Sequence, residues 1–157
     1  MSSEKKTRVV CLKTTELRAK EGIDNVKEWL AQSSNVYVGR SQRIFIHTGK
    51  THQDGMMMAA GSYLDKHNRV VERFTLPESP WHNRFKVDKT KSAQEEHRRV
   101  VSLYKEDLLD RMESDKSVKC ALLELRGMNL GCWCVPPLPC HAAALAEIID
   151  SIDTVRL

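Results

Sequence analysis

The residues with the richest chemistry lie close together, in Gly131-Cys132-Trp133-Cys134-Val135-Pro136-Pro137-Leu138-Pro139-Cys140-His141. Three of the five cysteines fall in this stretch, with one of the three tryptophans and three of the five prolines. Three thiols and an imidazole make a sensible tetrahedral zinc set, so Cys132, Cys134, Cys140 and His141 are candidate metal ligands. Their spacing is not that of a usual knuckle, and adjacent residues such as Cys140 and His141 do not readily point at one ion. The same residues suit a catalytic or ligand pocket. Cys140 would open the last helix, where unpaired N–H groups and the macrodipole favour a thiolate and also an anionic ligand. His141 is a candidate acid or base. Neighbours on a helix do not face each other, so Cys132 or Cys134 is as good a partner for it as Cys140. A third reading is packing, because cysteine and tryptophan at a buried strand end are ordinary core residues. Residue type alone leaves the three open.

Two further stretches carry recognition chemistry. Val36-Tyr37-Val38 reads as a strand and runs into Gly39-Arg40. A glycine permits close backbone approach, and an arginine at a strand end can offer a fork of donors to an anion; the plainer reading is a solvated arginine. Ser79-Pro80-Trp81-His82-Asn83-Arg84-Phe85 packs aromatics, an amide and cations into a turn. Trp81 or Phe85 could stack a planar ring whose edge Asn83 reads, or the loop could plug the core edge with Asn83 bonding backbone. Thr48-Gly49-Lys50-Thr51 ends like a phosphate loop but has Ile44 where the first glycine belongs, so it reads as a turn.

The elements that must position these groups alternate along the chain. Residues 1–6 read as a disordered start, and Thr7 to Leu12 as a buried strand in which Cys11 is a small apolar side chain. Glu16 to Gln32 is helix-like, broken at Gly22, with Asp24 as a cap for the second segment. Arg43 to His47 alternates as a strand. Asp54 to His67 reads as a helix with Met56, Met57 and Met58 in its core face. Arg69 to Leu76 is a further strand. Ser92 and Glu95 form a capping box for a long helix to about Ser114. Val118 to Leu123 is a short helix or strand, Arg126-Gly127 a turn, and Met128 to Cys132 the last strand before a final helix from Ala142. Strands alternating with helices imply an α/β layered, Rossmann-like sheet with helices on both faces, and ligands of such sheets bind beyond the carboxyl ends of the strands.

Composition narrows the class. A chain of 157 residues is most simply one domain, here residues 7–157, with 41% apolar and 29% charged residues as in soluble globular proteins. No apolar run reaches membrane-spanning length, so no membrane partner is expected. With no export signal and an odd cysteine count, an intracellular, reducing compartment is expected. The net charge of +4 is compatible with a nucleotide or nucleic-acid partner and only weakly favours one.

Leu125-Arg126-Gly127, Leu130-Gly131-Cys132-Trp133-Cys134, Pro136, Cys140-His141 and Leu145-Ala146-Glu147 together resemble the signature of domain of unknown function family 4326, small proteins of bacteria, phages and large DNA viruses. Val36 to Arg40 is similar to its Tyr-Ile-Gly-Arg segment, and Ser79 to Phe85 to its Ser-Pro-Trp-Gly-Asn-Pro-Phe segment. His82 and Arg84 replace a glycine and a proline, and residues 41–78 form a longer link than the family's, which marks an insertion. The resemblance implies an α/β domain with a shared site built from the three segments, and supplies no reaction. The expectation that follows is a nucleotide-, nucleobase- or nucleic-acid-related binding or enzymatic domain. In it Arg40 and Arg126 hold anionic groups, Trp81 and Asn83 hold a ring, and Cys132, Cys140 and His141 carry chemistry. The alternative is a non-enzymatic, zinc-stabilised module that binds nucleic acid or protein.

Overall fold

In the computed structural model the described residues are 5–133 and 138–153. The elements in chain order are β1 (Arg8–Cys11), α1 (Thr14–Glu16) running into a π-helical turn (Leu17–Glu21), α2 (Val26–Leu30), β2 (Asn35–Tyr37), β3 (Gln42–Thr51), β4 (Tyr63–Leu64), β5 (Arg69–Leu76), α3 (Ala93–Ser114), α4 (Lys116–Leu123), β6 (Asn129–Cys132) and α5 (His141–Ser151). The fold is mixed α/β. Where one layered sheet is expected, the described strands form two sheets of three. The chain divides into two compact units, residues 1–39 with 79–157, and residues 40–78.

The first unit holds a parallel sheet in the order β1-β6-β2. Its centre, β6, is hidden on both faces, as the alternation of a pleated strand requires. Leu130 and Cys132 join the core formed with Tyr104 and Leu108 of α3, Leu122 of α4, and Leu145 and Ile149 of α5. Gly131, between them, faces the other way. A Cβ there would lie 2.7 Å from the indole of Trp29 on α2 and 2.9 Å from Leu12, so only glycine lets that tryptophan seat. Helix α5 buries Ala142, Ala144, Leu145, Ala146, Ile148 and Ile149. Each fully buried Leu or Ile of this face contributes about 1.5–3 kcal/mol relative to exposure.

Helix α3 buries Val100, Tyr104 and Leu108 at four-residue spacing, as its periodicity predicts. Its expected capping box is absent, since Ser92 makes no side-chain cap bond. The buried carboxylate near the start of α3 is Glu96. It accepts from the Asp88 N–H at 2.7 Å and from Arg99 Nε at 2.7 Å. Those two donors, the Arg99 side chain foremost, hold its carboxyl well down, at about 2. Asn25 rather than Asp24 caps α2, accepting from the Glu28 N–H at 2.9 Å.

The second unit is an antiparallel sheet in the order β3-β5-β4, with a register shift between His47 and Thr51. The helix expected over 54–67 does not form. Gly55 and Gly61 take positive φ values of 81° and 83°, which turn the chain, and Met57 is 93% exposed instead of lying in a core. Phe45 meets Tyr63 edge-on at 6.2 Å, and the Arg73 guanidinium lies 5.1 Å from the Tyr63 ring centre. No helix among the described residues is long and apolar enough to cross a membrane.

Candidate functional site: a thiol-lined cleft

Parallel strands send their carboxyl ends to the same edge. Cys11 of β1 and Cys132 of β6 are register partners there, and Tyr37 of β2 lies opposite Gly131. Helix α5 begins at that edge, with Cys140 as its N-cap residue in extended backbone. The Cys132 and Cys140 sulfurs approach to 3.2 Å. Both line a cleft of about 400 Å³, together with Cys11 and the α5-side residues Leu138, Pro139 and Ala143. Arg8, paired with Glu21, and Lys20, 3.0 Å from Glu16, supply charges of both signs around the same cleft.

Beside the cleft, His141 ties the start of α5 to the end of β2. Its Nε2–H donates to the Val38 carbonyl at 2.8 Å, and its ring packs edge-on against Tyr104 at 5.2 Å between centroids. A carbonyl only accepts, so Nε2 carries a proton in this bond. The Trp133 indole N–H donates to the Tyr37 hydroxyl at 3.1 Å. Burial raises the Tyr37 pKa; the Trp133 bond opposes that, and nearby Cys132 adds to it, so the phenol stays neutral at physiological pH. Gly39 makes this arrangement possible, because a Cβ there would meet the Tyr37 hydroxyl at 2.4 Å.

The other expected site residues fall in different places. Arg126 lies at the far end of α5, where its guanidinium donates to the Ile149 carbonyl at 2.7 Å and to that of Ile152. Eleven helical residues at 1.5 Å each put that end about 16 Å from the helix start. There the guanidinium satisfies α5's last carbonyls. Asn83 is buried and used at both ends of its amide, donating to the Val100 carbonyl at 3.2 Å and accepting from the Phe85 N–H at 3.0 Å. Trp81 belongs to the core, with its carbonyl accepting from the Tyr104 hydroxyl at 2.8 Å and the Arg111 guanidinium 5.7 Å from its ring centre. Arg40 is exposed and is the first residue of the second unit. Cys134 lies outside the described residues. Among the described residues no three His, Cys, Asp or Glu side chains are grouped to hold a metal ion.

Cys11 and Arg8 line the cleft although sequence reading gave neither a role. The signal was present: Cys11 stands at the end of the first strand, as Cys132 does at the end of the last, and parallel pairing makes such positions neighbours.

A family model matches residues 23–151, from the turn before α2 to the last residue of α5. The chain belongs to the family described as Domain of unknown function (DUF4326). The matched span includes β2, all of β6 and the Cys140–His141 helix start, and with them two of the three cysteines that line the cleft, Cys132 and Cys140. An uncharacterised 12.4 kDa protein of the nrdA-td intergenic region of Enterobacteria phage T4 is 40% identical over 53 residues. Those residues are 34% of this chain, and the match covers about half (48%) of the relative's own length. No solved structure matches.

Proposed function

We propose that residues 1–39 with 79–157 form a Rossmann-like ligand-binding or enzymatic domain, interrupted by an insertion at 41–78. Its ligand is a nucleotide, a nucleobase or a related part of a nucleic acid. The observation that carries this reading is the convergence of Cys11 and Cys132, the last residues of β1 and β6, with Cys140 at the start of α5 on one cleft that runs along β1. In open parallel sheets the carboxyl edge, next to a helix start, is where ligands dock. A cleft of about 400 Å³ suits a nucleobase or nucleoside. Arg8, which lines the cleft and pairs there with Glu21, is the candidate for the anion-facing role expected of Arg126, whose guanidinium is spent on α5. His141 and Tyr37 hold the wall in shape, and the thiols face the ligand or carry its chemistry in a reducing compartment.

The test is a thermal-shift screen of fully reduced protein against nucleosides, nucleotides and nucleobases, repeated with Cys140→Ala and Arg8→Ala. A stabilising hit weakened by both substitutions is the expected result. A hit indifferent to both places the ligand elsewhere and defeats the reading.

The 3.2 Å approach of two thiols also favours a second reading, a zinc-stiffened corner on a non-enzymatic module that binds nucleic acid or protein. Elemental analysis of purified protein separates the two. Stoichiometric zinc released by Cys132→Ser supports the module, and its absence rejects it.

A further inference from the structure

Two sulfurs at 3.2 Å in one cleft raise a possibility that needs no particular nucleotide. Cys132 is buried at 2% exposure, while Cys140 is partly exposed. A disulfide is about 2.05 Å long, so little more than an ångström of side-chain movement separates this contact from a bond. The two positions also differ in the way an exchanging pair requires. Cys140 sits at the N-cap of an 11-residue helix and lines an open cleft. Cys132 lies behind it on the central strand, sheltered from bulky disulfides.

We propose that Cys140 and Cys132 form a redox-active dithiol that exchanges with low-molecular-weight disulfides, Cys140 attacking and Cys132 resolving. In the first step the Cys140 thiolate attacks one sulfur of the small disulfide. That S–S bond breaks, a mixed disulfide forms on Cys140, and one small thiolate leaves and is protonated. In the second step the Cys132 thiolate attacks the Cys140 sulfur and expels the second small thiol. The protein gives up two electrons and two protons, and the disulfide becomes two thiols. The charges of both signs around the cleft, Arg8 and Lys20 against Glu16 and Glu21, complement a zwitterionic peptide disulfide. The inference uses the thiols of the proposed ligand site but not the identity of that ligand.

The experiment uses full-length, reduced, metal-free protein and oxidised glutathione as the probe. Remaining thiols are alkylated and the cysteines mapped by mass spectrometry. The expected result is the loss of two alkylatable thiols out of five, joined as Cys132–Cys140, with two glutathione thiols released per chain. Cys132→Ser should stall with one glutathione held on Cys140. Cys140→Ser should leave Cys132 reduced, and Cys120→Ser, on the exposed side of α4, should change nothing. Wild-type protein that keeps all five thiols, that accumulates an unresolved mixed disulfide, or that joins a different pair overturns the proposal. Wild-type mapping decides the matter even where a variant fails to fold. Nucleotide binding by reduced protein is read separately, so either proposal can fail alone.

Discussion

In residues 1–39 with 79–157 three parallel strands surround a centre hidden on both faces, whereas residues 40–78 pair antiparallel strands and leave Phe45 about half exposed. The first sheet gains its order from long-range packing on helices. The second gains it from ladder bonds between strands close in sequence and from one aromatic–arginine cluster. The contrast explains where chemistry can reside. Parallel strands bring residues distant in the chain to one edge, which is how Cys11 and Cys132 become neighbours. The antiparallel sheet leaves Phe45 and Leu64 exposed.

The largest test of that contrast is Trp29→Ala. It empties a fully buried site against Gly131 and is expected to cost about 3–5 kcal/mol in denaturant unfolding. Gly131→Ala at the same contact forces a methyl against the indole and should cost about 1–3 kcal/mol. Near-wild-type stability in both would mean that the two faces of β6 are not packed as described.

Glu96 gives the first unit a pH signature, while Asp65 in the second unit is also held below the ordinary carboxylate value by the N–H groups of Arg69 and His67. The Glu96 carboxyl is lowered from 4.5 to about 2 by Arg99 and the Asp88 N–H. A depressed acid stabilises the fold above its unfolded value and loses that contribution as pH falls through its folded value. Unfolding midpoints should therefore decline between about pH 5 and pH 2, and Glu96→Gln should flatten that part of the profile. An unchanged slope would show the carboxylate to be unpaired in solution.

Phe45→Ala in the second unit removes a half-exposed ring and its edge-on contact with Tyr63, and is expected to change stability by about 1 kcal/mol or less. The smallest effect is expected from excision. The Ser79 N–H donates to the Gly39 carbonyl at 3.0 Å, so the first unit closes across the gap. Replacing residues 41–78 with a short Gly-Ser linker should leave its thermal unfolding and its thiol reactivity unchanged. Loss of folding would show that the second unit is an integral part of the domain.

How much was legible in the sequence follows the same division. The strands β1, β2 and β6 and the helices α3 and α5 could be read because their burial is periodic and their ends carry local signals. The stretch 54–67 misled because Met57, Ala60 and Leu64 match a helical period, while Gly55 and Gly61 turn the chain on either side of the methionines. Asp24 was displaced as cap by its neighbour Asn25, which accepts from the Glu28 N–H, and the Ser92–Glu95 box did not form, while Glu96 turned to the Asp88 N–H and Arg99. Cys140 and Cys132 were legible from residue type. Cys11 was not, because a cysteine in an apolar run looks like core until strand order places it. Arg126 drew attention as a cation next to a glycine turn, yet its donors go to the carbonyls of a helix that only tertiary structure brings near.

The most direct measurement is an NMR titration of isotope-labelled, reduced protein with the best nucleoside or nucleotide from the screen. The expected result is that shift changes gather at Cys11, Cys132, Cys140 and Ala143, where β1, β6 and α5 meet. Changes confined to residues 40–78, or saturable binding that leaves those four signals unmoved, would contradict the assignment of the cleft as the site.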